Sequence, residues 1–129
     1  MISHVGGDSS LVEDLTIRNA RASAPLGVDG SAVRVGDFAT VNRPACRRVG
    51  FERNASTDVN SFASAIGVTL VSSLDLDRCV FDANRLVGSD QSDLYINFAQ
   101  TSSIAKSVFA NSVSTGSSIH LDGAANAAD

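Results

Sequence analysis

A phrase of eight or nine residues, written four times, constrains this chain more than any other feature of it. It runs Val12-Glu13-Asp14-Leu15-Thr16-Ile17-Arg18-Asn19, then Cys46-Arg47-Arg48-Val49-Gly50-Phe51-Glu52-Arg53-Asn54. It returns as Leu76-Asp77-Arg78-Cys79-Val80-Phe81-Asp82-Ala83-Asn84 and as Ile104-Ala105-Lys106-Ser107-Val108-Phe109-Ala110-Asn111. A second phrase, Ser-x-apolar-x-apolar, interleaves with it, beginning at Ser31, Ser64, Ser92 and Ser117. Two phrases that share one period mean stacked repeats, with equivalent residues of successive copies lying against each other.

The spacing selects the kind of stack. Ile17, Phe51, Phe81 and Phe109 are 34, 30 and 28 residues apart. Helical repeats have similar periods but place apolar residues at i, i+3, i+4 and i+7. Here the apolar positions alternate in short runs, as in Val33/Val35, Ile66/Val68/Leu70, Leu94/Ile96/Phe98 and Ile119/Leu121. That is strand periodicity. Clusters such as Val28-Asp29-Gly30 and Val87-Gly88-Ser89-Asp90 separate the runs and supply turn chemistry. The chain is therefore expected to be all-β, with short strands joined by bends, each strand finding its partner one repeat away. A right-handed parallel β-helix solenoid of about four coils meets those demands, with strands stacked about 4.8 Å apart.

In such a coil the inward positions form columns. Val12, Cys46, Leu76 and Ile104 make one, and Ile17, Phe51, Phe81 and Phe109 a second, larger one. A third holds Leu15, Val49, Cys79 and Ser107, and a fourth Val33, Ile66, Leu94 and Ile119. The closing asparagines Asn19, Asn54, Asn84 and Asn111 are expected at a bend, where asparagine tolerates a left-handed backbone and its amide can bond its counterpart in the next coil. Asn54-Ala55-Ser56 also matches a glycosylation acceptor triplet, on an asparagine that already has this structural task.

These phrases resemble the right-handed parallel β-helix, or pectin-lyase-like, superfamily, especially its repeat-rich bacterial surface proteins of the polymorphic outer-membrane and autotransporter passenger type. Those proteins alternate a Gly/Ser-x-apolar-x-apolar strand with one ending in Phe-x-x-Asn, as in Gly30-Ser31-Ala32-Val33-Arg34-Val35 and Phe51-Glu52-Arg53-Asn54. The resemblance covers roughly residues 11–123 of a single domain, 1–129. It departs where the doubled glycine before the first strand is missing and where Asn111 follows Phe109 by only two residues. It implies an extracellular or cell-surface location and a polysaccharide or surface protein as partner.

Composition narrows the partners. A net charge of −4 without any basic run argues against nucleic acid or an anionic membrane. No apolar stretch approaches a membrane span, and Met1–Ser10 has neither the basic start nor the apolar centre of a signal peptide. Ten residues beyond Ile119, where the next Asn phrase should open, lies Asp129. The expectation is a fragment of a longer β-helix whose uncapped ends self-associate.

The motifs that carry chemistry are sparse. Cys46 and Cys79 occupy different columns, which predicts buried free thiols rather than a disulfide. Phosphate-cradling, zinc-protease and nucleophile-elbow motifs are absent, and no cofactor is expected. On the outer face, Glu13, Arg47, Asp77 and Ala105 alternate in sign and predict cross-coil ion pairs, modest stabilisers when exposed. Beside them Arg48, Arg78 and Lys106, with Asp14, form a basic stripe that could hold an acidic polysaccharide or simply be a balanced, solvated face. Stacking should also set Tyr95 beside His120, with Asp93 on the same outer face, so that an aromatic ring, an imidazole and a carboxylate could meet a sugar. Polysaccharide lyases of the superfamily hold calcium with clustered acids. Here Asp75 and Asp77 share one face of a strand with Ala45 and Arg47 stacked below, and the arginine beside Asp77 points instead to a salt bridge.

Three functions follow from this reading. The first is a non-enzymatic structural or adhesive surface segment, the second a carbohydrate-active or carbohydrate-binding β-helix, and the third a viral tail-spike segment.

Overall fold

The computed structural model describes residues 2–4, 9–22, 32–35, 43–57, 63–86, 92–113 and 118–122. Among these residues there are strands and bends and no helix. The first repeat supplies β1 (Ile2–His4), β2 (Ser10–Glu13), β3 (Thr16–Arg18) and β4 (Arg21–Ala22). The second supplies β5 (Val33–Val35), β6 (Pro44–Arg47), β7 (Gly50–Glu52) and β8 (Ala55–Ser56). The third supplies β9 (Ala63–Asp77), β10 (Val80–Asp82) and β11 (Arg85–Leu86). The fourth supplies β12 (Ser92–Ala105) and β13 (Val108–Ala110), and β14 (Ile119–Asp122) opens a fifth.

Equivalent strands of successive repeats pair, and every pairing is parallel. A seven-stranded sheet follows the order β1-β5-β9-β12-β14, with β6 on β9 and β2 on β6. A four-stranded sheet runs β13-β10-β7-β3, and a three-stranded one β11-β8-β4. The expected columns are register partners: Val12↔Cys46, Cys46↔Leu76 and Leu76↔Ile104 in the first sheet. Ile17↔Phe51, Phe51↔Phe81 and Phe81↔Phe109 follow in the second. The Phe81 ring stacks on Phe51 at 4.9 Å and on Phe109 at 4.4 Å, nearly parallel to both. Phe51, Leu76 and Phe81 are fully buried, and each such side chain contributes roughly 2 kcal/mol of transfer free energy.

Three features depart from the expected pattern. In the third and fourth repeats the Ser phrase does not stand alone as a short strand: it runs on into the Asn phrase, so β9 and β12 are 15 and 14 residues long. The bend within β9 falls at Leu70, which takes a left-handed φ of 54°. Thr69↔Asn97 and Val71↔Ala99 pair on either side of it. The alternation is interrupted there: Ile66 and Val68 are buried before the bend, Val71 directly after it and Leu74 and Leu76 beyond, and Leu70 is only half-buried. The third sheet, built from two-residue strands, and β1, whose Ile2 pairs with Val33, extend the repeat beyond the residues whose pattern announced it.

Two sharp corners bound the second sheet, and both are turned by left-handed residues. Asp14, Arg48, Arg78 and Lys106 occupy the first, with φ between 51° and 54°. Asn19, Arg53, Ala83 and Asn111 occupy the second, with φ between 52° and 57°. The corner residues of the first three repeats keep their N–H in the ladder, as in Arg48 N–H to the Asp77 carbonyl (2.9 Å) and Arg53 N–H to the Asp82 carbonyl (2.9 Å). Two residues on, the donation reverses toward the preceding repeat, as in Val80 N–H to the Val49 carbonyl (2.9 Å). The residue between has its N–H turned inward with no strand to pair it, a buried donor that needs a side-chain acceptor.

Candidate functional site

That inward donor organises the polar interior. At the second corner the acceptor is asparagine: Ala20 N–H donates to Asn54 Oδ1 (3.0 Å), and Asn54 N–H donates to Asn84 Oδ1 (2.9 Å). Each amide also reaches back with its Nδ2, Asn54 to the Ile17 carbonyl (3.1 Å) and Asn84 to the Phe51 carbonyl (2.9 Å). One amide thus clamps a donor and an acceptor of the repeat below. Asn54 and Asn84 are fully buried, so the Asn54-Ala55-Ser56 triplet is closed to glycosylation in the folded chain.

The ladder differs from the expected one. Asn19 and Asn111 are not rungs of it: they are the exposed left-handed corner residues, equivalent to Arg53 and Ala83. Ala20 and Ser112 stand at their repeats' rung positions. The sequence carries the distinguishing signal, because Asn54 and Asn84 follow their phenylalanines by three residues, whereas Asn19 and Asn111 follow Ile17 and Phe109 by two. The left-handed backbone and the amide ladder are separate tasks for adjacent residues.

Asp93 lies at the upper end of this ladder. It is 2% exposed, accepts from Ser64 Oγ (2.8 Å) and Ser112 Oγ, and takes a further hydrogen bond from the Asn84 side chain. Burial pushes its carboxyl above the ordinary carboxylate value, and the three hydrogen bonds oppose that shift. A register shift between Ser92 and Leu94 sets Asp93 against two residues of β9, Ser64 and Ala65.

The expected trio on the outer face is therefore divided. Tyr95 and His120 do stack, their rings 5.4 Å apart at 21°. Asp93, however, faces the serines and Asn84 in the interior rather than joining them on an outer face. Tyr95 is itself 2% exposed, so its ring is not an open platform for a sugar.

The first corner uses sulfur and hydroxyl in place of amides. Val49 N–H donates to the Cys79 sulfur, and Cys79 N–H donates to Ser107 Oγ (3.0 Å). The Cys79 thiol donates in turn to the Cys46 carbonyl (3.3 Å). Both cysteines are free and buried. Burial pushes the Cys46 thiol up to about 12 and raises that of Cys79, so neither supplies a thiolate at neutral pH.

Outside this corner run Arg48, Arg78 and Lys106, and acids partner the two arginines. Arg48 holds Asp14 through two contacts (2.5 and 2.6 Å) and Glu13 through a third (3.4 Å). Arg78 holds Asp77 (2.7 Å). The Arg48 hydrogen bond lowers the carboxyl of Asp14, and the Arg78 hydrogen bond lowers that of Asp77. The cross-repeat pairing departs from the simple register, because Arg47 bonds Asp75 (3.6 Å) although its Cα partner is Asp77. With both carboxylates facing arginines, Asp75 and Asp77 make no acidic cluster. Among the described residues no group of three or more histidines, cysteines or acids is placed to hold a metal ion.

Comparison with known proteins adds no identity: no family model, no curated protein and no solved structure matches the chain.

Proposed function

We propose that the chain is a segment of right-handed parallel β-helix, similar to the repeat-rich surface proteins of the pectin-lyase-like superfamily, and that its work is structural. It is a rigid, non-enzymatic rod at the cell exterior that presents a regular outer face to a polysaccharide or a surface protein. The observation that carries this reading is the register: equivalent residues of four successive repeats are partners in two sheets and inward-facing in both. The polar interior supports it as well, since the buried amides and Asp93 are consumed in clamping one repeat to the next.

Two measurements test the proposal. A crystal structure in which the three sheets are not linked as right-handed coils would remove the β-helix. Incubation with acidic and neutral polysaccharides, followed by assays for new reducing ends and for the ultraviolet absorbance of unsaturated uronides, is expected to show no turnover. Catalytic release of either product would overturn the structural role. Binding of an acidic polysaccharide along Arg48, Arg78 and Lys106 is expected to be weak and salt-sensitive, because Asp14 and Asp77 already neutralise the arginines.

A further inference from the structure

We infer that an anionic glycan, one bearing carboxylate or sulfate groups, docks where the second corner meets the third sheet, on Arg21, Arg53 and Arg85. The assignment rests on the polysaccharide-binding reading above and gives that partner a site and a chemistry.

Arg21, Ala55, Arg85 and Val113 are register partners along the third sheet and its continuation. They face outward, because the residues that alternate with them, Ser56 and Leu86, are buried, while Arg21 and Arg85 are exposed. Arg53 turns the corner two residues before Ala55 and is exposed as well. One arginine thus comes from each of the first three repeats. Stacked strands lie about 4.8 Å apart, so the backbones that carry Arg21 and Arg85 are about 9.6 Å apart. Ala55, between them, brings only a methyl group.

Arg21 is already held in position. Its Nη1 donates to the Ala20 carbonyl (3.2 Å) and, across to the next repeat, to the Arg53 carbonyl (2.6 Å). Both bonds use one nitrogen, which leaves Nη2 and Nε as donors for a ligand. A cation fixed before binding loses less freedom when the ligand arrives.

Charge is compensated at the first corner and not at this edge. Arg48 has Asp14 and Glu13, Arg78 has Asp77, and Arg47 has Asp75. Among the described residues Arg21, Arg53 and Arg85 enter no ion pair. Glu52 and Asp82, the acids just before the corner, belong to the column of Arg18 and Ala110 on the second sheet, and Asp82 accepts from Asn111 Nδ2 (2.8 Å). Three like charges therefore share one edge of a chain whose net charge is −4, and a bound anion relieves their repulsion.

The residue type selects the ligand class. All three cations are arginine, whose planar fork meets a carboxylate or a sulfate through two parallel hydrogen bonds. One fork per repeat suits an extended polyanion lying along the stack. Single-stranded nucleic acid would call for exposed aromatic rings on which bases stack, whereas Phe51, Phe81 and Tyr95 are buried.

Fluorescence anisotropy of a labelled heparin oligosaccharide, titrated with the full chain at low ionic strength, is expected to show binding that weakens steeply with added salt. Uncharged dextran should not compete. Arg53→Ala and Arg85→Ala copy what Ala83 and Ala55 already supply at the same places in neighbouring repeats, so both variants should melt near the wild-type temperature. Each should weaken binding roughly two- to fivefold, and the double variant by about the product of the two factors. Lys106→Ala, at the other corner, should leave binding unchanged. Absence of binding at low ionic strength, or binding that resists both arginine substitutions, would overturn the inference. Binding lost on Arg48→Ala or Lys106→Ala but not on the edge variants would also overturn it, while leaving the polysaccharide reading in place. A DNA duplex that binds more tightly than heparin of equal charge would overturn the glycan as ligand. Cleavage of the oligosaccharide that still requires Arg53 and Arg85 would support the site and remove the non-enzymatic reading instead.

Discussion

The two corners that flank the second sheet pose one problem and solve it with different chemistry. Each turns on a left-handed residue, and each leaves the next backbone N–H pointing inward without a strand partner. The corner at Arg53 and Ala83 fills the gap with Asn54 and Asn84, whose amides bond two backbone groups of the repeat below. The corner at Arg48 and Arg78 uses the weaker sulfur and hydroxyl of Cys79 and Ser107, the Cys79 thiol also reaching the Cys46 carbonyl, and places its ion pairs outside in water. The comparison teaches that the asparagines hold the repeats together at this edge, whereas the charged corner is held by its neighbours. An amide desolvated among backbone groups counts for more than a solvated ion pair.

Replacing Asn84 by leucine should produce the largest effect. It orphans the N–H of Asn54, at roughly 1–3 kcal/mol, and takes one hydrogen bond each from the Phe51 carbonyl and the Asp93 carboxylate, at about 1 kcal/mol apiece. Urea unfolding of Asn84→Leu should therefore show a loss as large as that of Phe81→Ala, about 3–5 kcal/mol, whose cavity would open between Phe51 and Phe109. A loss below about 1 kcal/mol for the asparagine variant would place the two corners on an equal footing and break the comparison.

Cys79→Ala should come next, at about 1–3 kcal/mol, since it removes a single acceptor from Val49 N–H and leaves a small void. Cys79→Ser restores an acceptor and should recover part of that loss. If serine proves no better than alanine, packing rather than hydrogen bonding governs the first corner.

Acid sharpens the contrast, because the carboxyls shift in opposite directions. Asp93 is raised by burial, so the folded chain binds more protons than the unfolded one just above the ordinary carboxylate value, and its contribution to stability is lost as pH rises through its folded pKa. Asp14 and Asp77 are lowered by their arginines, so their contribution is present above the ordinary value and lost as pH falls. Melting temperatures of Asp93→Asn relative to wild type should therefore improve from about pH 4 to about pH 7. A difference that stays flat over that interval would mean that Asp93 titrates as it does in the unfolded chain.

The smallest effect should be a gain. Ala83 holds φ 52° with no side-chain hydrogen bond of its own to lose, and a left-handed alanine costs about 1 kcal/mol relative to glycine. Ala83→Gly should raise stability by about 0.5–1 kcal/mol on the same urea scale. A loss instead would show that the corner is not strained.

Much of the fold was legible in the residues. The spacing of Ile17, Phe51, Phe81 and Phe109 and the alternation in Val33/Val35 and Leu94/Ile96 name register partners directly, because in parallel stacking one repeat's inward position must meet the next one's. Two-residue strands such as β4, β8 and β11 have no period to read, and β1 is three residues long with a histidine in it. The candidate site was less legible. A regular strand would set Asp93 and Tyr95 on one face, but the register shift at Ser92/Leu94 carries the carboxylate to Ser64 and Ser112, residues 29 and 19 positions away in the chain. The left-handed bend at Leu70 likewise overrides an alternation that looked unbroken.

The sequence by itself determined which residues stack on which, since apolar identity at a fixed period is a local property that burial converts into a column. Only the tertiary structure decided which partner each polar residue takes. Asn19 and Asn54 close the same phrase, yet Asn19 takes the left-handed torsion itself and turns a corner in solvent, whereas Arg53 takes it ahead of Asn54, which caps the buried N–H of Ala20. Hydrogen-bond partners are selected by where an N–H or a carboxylate points after the chain has bent, and that direction exists only once the repeats lie on one another.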